Sequence, residues 1–189
     1  PAGQRILVDP YRNWPDGRRW FKRECANVEA DVLLVSHPHA DHDRAASALG
    51  QPRLLDTEGE LAGLDFRIRG LTGRHSARFG RDIDYFNTIF VLETAGLRVG
   101  LMGDNEADLS ERLRDEIGPL DVLVVPVEDA GLILSAVEAE RLAKRLQPRV
   151  VIPTHYFIEG LTEPSSGFAG IAEWRELQAT VRELPGATL

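Results

Sequence analysis

Three histidines and an aspartate crowd into six positions of this chain, in the run His37-Pro38-His39-Ala40-Asp41-His42. Neutral imidazoles and carboxylates are the donors that zinc and similar cations take. Pro38 disfavours a helical conformation at His37, so the segment should start extended. Residues two apart on an extended chain point the same way, which predicts that His37, His39 and Asp41 face one cavity. The stretch Asp43 to Leu49 reads as a helix stopped by Gly50, and the turn into it would swing His42 inward.

The rest of the chain supplies partners for that run. Short apolar segments read as buried strands: Ile6 to Val8, Val32 to Val35, Thr88 to Leu92, Leu97 to Met102, Val122 to Val125 and Val150 to Ile152. Three of them lead straight into polar residues: Ser36-His37, Gly103-Asp104 and Pro153-Thr154-His155. His75 follows the Leu64 to Leu71 segment, so all five histidines are accounted for. In open α/β sheets, ligands bind at the carboxyl ends of the strands. Between the strands lie amphipathic stretches. Ala136 to Leu146 should be a helix with Val137, Leu142 and Leu146 on one face, a capping box of Ser135 with Glu138, and Pro148 beyond its end. Ile171 to Glu183 should be another, with Trp174 and Leu177 facing the core and Pro185-Gly186 stopping it. Strand–helix alternation predicts a layered α/β domain.

The chain has 189 residues, with neither an internal repeat nor a low-complexity linker, so one domain over 1–189 is the economical reading. Its net charge of −8 argues against a general nucleic-acid coat. No apolar run approaches the ~20 residues that would cross a membrane. The start of the sequence shows no signal-peptide pattern, and the single Cys25 suits a reducing compartment. A cytoplasmic protein is expected.

These motifs resemble the metallo-β-lactamase superfamily, whose signature is His-x-His-x-Asp-His followed by a His, an Asp and a His on separate strands. The likeness spans Asp9 to Tyr156. The stretch from Asp121 to Tyr156 is similar to the small branch of ascorbate-6-phosphate lactonase-like proteins. The resemblance implies a four-layer αββα sandwich and two divalent metal ions. Zinc is the default ion, with manganese and iron as alternatives. It implies that His37, His39 and His75 hold one ion, that Asp41, His42 and His155 hold the other, and that Asp104 bridges them. Asp9 resembles the family's early structural aspartate, which supports ligands by hydrogen bonding. The family pattern places another strand before the segment matching Arg5 to Asp9, and here four residues precede it. That leaves the first strand, the sheet edge and a homo-oligomeric state open, since an unpaired edge invites another chain.

Two cations ~3.5–4 Å apart can share a hydroxide and polarise a substrate oxygen. The reaction implied is hydrolysis of a lactone, ester or phosphoester, with Asp41 orienting the hydroxide. With every histidine assigned to metal, the proton for the leaving group must come from metal-bound water, a carboxyl group with a raised pKa, or Tyr156, the candidate beside His155. Asn87 is a further candidate for an oxyanion contact. The length leaves no room for the large domain inserted between the motifs of cleavage-factor nucleases, and glyoxalase II relatives are expected to differ by a helical substrate domain beyond the last histidine. A nuclease or phosphodiesterase acting on nucleic acid, and a metal-binding module without turnover, are the alternatives. The substrate expected is a small molecule. From Tyr11 to Arg23, Arg12, Arg18, Arg19, Lys22 and Arg23 interleave with Tyr11, Trp14, Trp20 and Phe21. This segment reads either as a lip for an anionic or phosphorylated substrate, with Arg74 and Arg78 as further contacts, or as a solvated face over core aromatics.

Overall fold

The computed structural model describes residues 3–14, 17, 19–63, 65–76 and 86–182. Along the chain run strands β1 (Ile6–Val8), β2 (Val28–Glu29), β3 (Val32–Leu34), β4 (Ala48–Leu49), β5 (Arg53–Leu55), β6 (Gly59–Ala62), β7 (Phe66–Arg74), β8 (Phe86–Thr94) and β9 (Leu97–Leu101). Helix α1 (Glu111–Ile117), strand β10 (Val122–Pro126), helix α2 (Ala136–Leu146), strand β11 (Val150–Thr154) and helix α3 (Ala172–Glu176) complete it.

Two sheets form the frame. The smaller is parallel, in the order β1-β3-β5; the larger runs β11-β10-β9-β8-β7-β6. In the larger sheet β9, β10 and β11 are parallel, while β6 to β9 meander antiparallel. Period-two alternation along β8 separates two cores. Ile89 and Val91 join Leu123, Val125, Leu142 and Trp174 under the helices. Phe90 joins Val32, Leu34 and Ile68 between the sheets. Ile89, Leu123 and Leu142 are fully buried, each burial being worth on the order of 2–3 kcal/mol. The result is the layered α/β sandwich expected. No helix among the described residues is long and apolar enough to cross a membrane.

Helix α2 has the predicted bounds. Ser135 accepts from the Glu138 N–H, and Glu138 reaches back to the Ser135 backbone N–H at 2.9 Å. Its buried face is Ala136, Ala139, Leu142, Ala143 and Leu146, whereas Val137 is exposed, contrary to expectation. The expected helix from Asp43 to Leu49 is a short 3-10 turn, Ala45–Ser47, leading into β4. Tertiary ties override the local propensity: Arg12 grips the Asp43 carboxylate, the Arg44 N–H donates to the Pro10 carbonyl, and β4 pairs with β2. Helix α3 is shorter than Ile171 to Glu183 and ends before Leu177, which is exposed while Trp174 is buried. Its first N–H groups, on Ala172 and Glu173, are taken by the Asp129 carboxylate. Glu183 and Pro185-Gly186 lie outside the described residues.

Candidate metal centre

Strand β3 delivers Ser36 and His37 to one end of the sandwich. Asp9, just past β1, accepts from the Ser36 N–H at 2.7 Å and the Ser36 hydroxyl at 2.8 Å. The Ser36 Oγ lies 3.0 Å from His37 Nδ1, which turns the ring so that Nε2 points away from the strand. Beyond His37 the chain is not extended. The His39 N–H donates to the His37 carbonyl, and the His42 N–H to the His39 carbonyl. Tight turns, not two-residue alternation, therefore bring the run together. The Arg12 N–H pins the turn by donating to the Ala40 carbonyl.

The other components arrive on the larger sheet. His75 follows β7 and bridges to Asn105. Asp104 follows β9 through Gly103, whose φ of +53° suits glycine. A Cβ there would also meet Asn87 Oδ1 at 2.4 Å and Ser36 Cβ at 2.6 Å. His155 follows β11 with a φ of 63°, an unfavourable setting for a histidine.

The structure brings these side chains into two groups that share Asp104. One is His37, His39, His75 and Asp104; the other is Asp41, His42, Asp104 and His155. Within each, one donor atom per residue lies within 4.8 Å of the rest. The Nε2 atoms of His37, His42, His75 and His155 stand 3.6, 3.4, 3.5 and 3.6 Å from Asp104 carboxylate oxygens. His42 and His155 each approach Asp41 Oδ2 to 3.3 Å. Such separations are long for charge-assisted hydrogen bonds. They match what two donors ~2.1 Å from a common tetrahedral cation would show, about 3.4 Å apart. His37 Nε2, His42 Nε2 and Asp104 Oδ1 are buried and make no hydrogen bond. Polar atoms are rarely left so, and a cation between them would resolve the deficit. The residues present fit a metal.

Electrostatics point the same way. Burial pushes His37 down to about 2 and lowers His39, so both rings are neutral donors. Burial opposes charge on His42, but the carboxylates of Asp104, Asp41 and Asp9 outweigh it and raise its pKa. His155 is raised against its own burial by Asp104 and Asp41. Burial disfavours ionised Asp41 and Asp104, yet His42 outweighs it and both fall below the usual carboxylate range. Without metal, the carboxylates favour the protonated form of His42 most strongly and of His155 to a lesser degree.

Asn87 is not available as an oxyanion contact. Its Nδ2 donates to the Met102 carbonyl at 2.8 Å and to Asn105 Oδ1 at 3.3 Å, while its Oδ1 accepts from the Asp104 N–H at 3.0 Å. Asn105 Oδ1 accepts in turn from the Arg74 N–H at 2.9 Å. These two amides lock the turn carrying Asp104 to the end of β7 that carries His75. Sequence reading missed Asn105 altogether; its one signal was adjacency to Asp104. Buried Glu128 was also missed, and its carboxylate gathers the N–H groups of Ala130, Leu132 and Ala169.

A cavity of about 350 Å³ opens on one side of the cluster, bordered by Asp41, His42, Asp104, His155 and Tyr156. Of the two readings of the Tyr11 to Arg23 segment, the cationic lip finds no support, since no described arginine or lysine lines this cavity. Arg12 is spent on Asp43, bonded at 2.7 and 3.1 Å. Arg19, Lys22 and Arg23 are exposed, and Arg18 and Arg78 lie outside the described residues. The aromatics of that segment stack inward: Tyr11 on Phe21 at 4.0 Å, Trp20 on Phe168 at 5.6 Å. The segment follows the pattern of a solvated face over packed rings.

The sandwich, with histidines and aspartates converging at its strand ends, is the architecture of a metallo-β-lactamase-type hydrolase. The model of the Beta-lactamase superfamily domain matches residues 1–155, and the chain belongs to that superfamily. It is a hydrolase of the metal-dependent kind for which its relatives are named. A UPF0173 metal-dependent hydrolase of Pelotomaculum thermopropionicum is 27% identical, over 82% of this chain and 78% of the relative. One from Thermococcus onnurineus is 24% identical over the same shares of each. The crystal structure of a metallo-β-lactamase superfamily protein from Thermotoga maritima superposes with a TM-score of 0.71 at 27% identity, covering 95% of this chain and 79% of that one.

Proposed function

We propose that this hydrolase works with two divalent cations, zinc by default, on an ester-like bond of a small molecule: a lactone, carboxylic ester or phosphoester. His37, His39 and His75 would hold one ion, Asp41, His42 and His155 the other, and Asp104 would serve both. The observation that carries the reading is the ring of four imidazole nitrogens 3.4–3.6 Å from one buried carboxylate. Zinc dependence is ascribed to the Thermotoga maritima relative. Bound divalent cations supply Lewis acidity and bring the pKa of water towards ~7. The residues 1–189 act as one domain in this reading.

The side chains divide the remaining work. Asp41 stays ionised at neutral pH because His42 and His155 outweigh its burial. Its Oδ1, without a hydrogen bond of its own, can hold and orient an attacking water. Asp9 Oδ2 lies 3.1 Å from His42 Nδ1, and its carboxylate favours positive charge on that ring. Tyr156, on the cavity wall beside His155, carries a phenolic proton for the departing oxygen.

Metal analysis of protein reconstituted with zinc should find close to two ions per chain, and Asp104→Ala should lower that number. Protein that keeps only trace metal would overturn the reading. A panel of lactones, esters and phosphodiesters then assigns the bond. Tyr156→Phe should slow substrates with poor leaving groups more than those with good ones; equal slowing would exclude Tyr156 as the acid.

A further inference from the structure

The cavity beside the cluster has a wall that the chemistry above does not use. Phe21 and Phe168 both line it, with ring centres 6.2 Å apart. Phe168 also stands edge-on to His155 at 4.9 Å. Ile158 and Leu161 extend the same wall. These residues come from separate segments, and each is fixed by backbone ties. Phe21 bridges to Thr162, and the Lys22 N–H donates to the Leu161 carbonyl at 2.8 Å. The Phe168 N–H donates to Ser166 Oγ, while the next residue is held by Glu128. Tyr11 and Trp20 back the two rings. The surface is therefore preformed, and apolar surface kept open beside reactive groups suits a ligand.

Two further facts narrow that ligand. The lining includes Asp41, His42, Asp104 and His155 but not His37, His39 or His75, so the wall lies on the His155 side of the cluster. No lysine or arginine is among the lining residues described. An anionic group placed against that wall would lose hydration at the aromatic faces and meet no lysine or arginine among the described lining residues.

We infer that the non-reacting part of the substrate is an uncharged, apolar group, aromatic or compact aliphatic, seated against Phe21 and Phe168 on the His155 side. This rests on the hydrolase reading of the cluster and adds to it the class and orientation of the substrate. It takes the place of the anion-binding lip, one of the two readings of the Tyr11 to Arg23 segment. Phe21 and Phe168 become specificity residues, and Trp20 a positioning residue behind them.

Hydroxamates with one metal-binding head and different tails test this on the zinc-loaded full chain by calorimetry. Phenylacetohydroxamate should bind about ten- to a hundredfold more tightly than acetohydroxamate, as burial of one ring implies. A succinic monohydroxamate, with a carboxylate tail, should show no such gain. Phe168→Ala should remove most of the phenyl advantage, read as the ratio of phenylacetohydroxamate to acetohydroxamate affinity within the variant, whereas Phe168→Leu should keep part of it. A carboxylate tail that binds as well as the phenyl tail would overturn the inference. So would a phenyl advantage that survives both Phe168→Ala and Phe21→Ala. Phenylacetamide, which has no chelating head, reads the wall by itself in ligand-observed NMR. Saturation transfer to its ring that is lost in Phe168→Ala supports the wall even where no metal is retained; absence of transfer in the wild type overturns it. Failure of the metal reading would appear separately, as loss of acetohydroxamate binding together with absent zinc.

Discussion

Asn87 offers the sharpest test of how the cluster is held. Replacing it with alanine orphans the buried Asp104 N–H, for which Asn87 Oδ1 at 3.0 Å is the acceptor among the described residues. The Met102 carbonyl keeps the Asn105 N–H, and Asn105 Oδ1 keeps the Arg74 N–H, so these suffer less. One orphaned donor plus the small void left behind should cost about 2–4 kcal/mol. Asn87→Asp is nearly isosteric but puts an anionic oxygen where Nδ2 now faces two acceptors, at 2.8 and 3.3 Å. At neutral pH it should therefore be worse than alanine, and acidification should recover part of the loss as the new carboxyl takes up a proton. Urea unfolding of metal-free protein reads the stability, and titration with a chromophoric chelator reads metal affinity. Both substitutions should weaken binding of metal at the pair of groups joined by Asp104. A loss below about 1 kcal/mol with unchanged metal affinity, or aspartate milder than alanine at neutral pH, would refute the clamp.

Other expectations follow from the same geometry. In metal-free protein His42 has a raised pKa, so its share of stability is present below 6.5 and lost as pH rises through its folded value. His37, lowered from 6.5 to about 2, works oppositely: its share is present above 6.5 and lost as pH falls towards 2. Urea midpoints from pH ~4 to ~9 should therefore peak in mid-range without metal, and a steady rise with pH would contradict this. Metal binding near neutral pH should release protons from His42 and His155, measurable as buffer-dependent binding heat; no buffer dependence would contradict the charge assignment. His39→Ala should abolish hydrolysis with little change in far-ultraviolet dichroism, and retained turnover would remove His39 from the site. Ser135→Ala should cost about 1 kcal/mol by loss of the capping box on α2, with no change in metal content.

Much of the frame is written in local apolarity. Val122 to Val125 and Leu97 to Met102 are strands because short aliphatic runs can bury at least one face, and Leu123, Val125 and Met102 are fully buried while Leu97 is exposed. Asp104, just past Leu97 to Met102, and His155, just past Val150 to Ile152, were visible because a ligand at a strand's carboxyl end stands out against that apolarity. What failed depended on partners far away in sequence. Asp43 to Leu49 has the composition of a helix, and nothing local says that Arg12 and Pro10 will pull it into a turn. Asn87 looked like a group facing substrate, since an amide's role is fixed only by which carbonyls and N–H groups surround it. The arginines between Tyr11 and Arg23 were ambiguous for the same reason: Asp43, Arg12's partner, lies 31 residues away.

The left-handed backbone at Asp9 and His155, with φ of 45° and 63°, has a bearing on how this scaffold could change over time. An L side chain held there costs on the order of 1 kcal/mol or more relative to glycine. Neither residue is there because the chain conformation favours it. Variants scored for thermal endurance alone, in metal-free medium and with no demand for turnover, should drift at position 155 towards glycine or asparagine. Durability and chemistry pull in opposite directions at that position, so engineering a hardier variant should begin elsewhere.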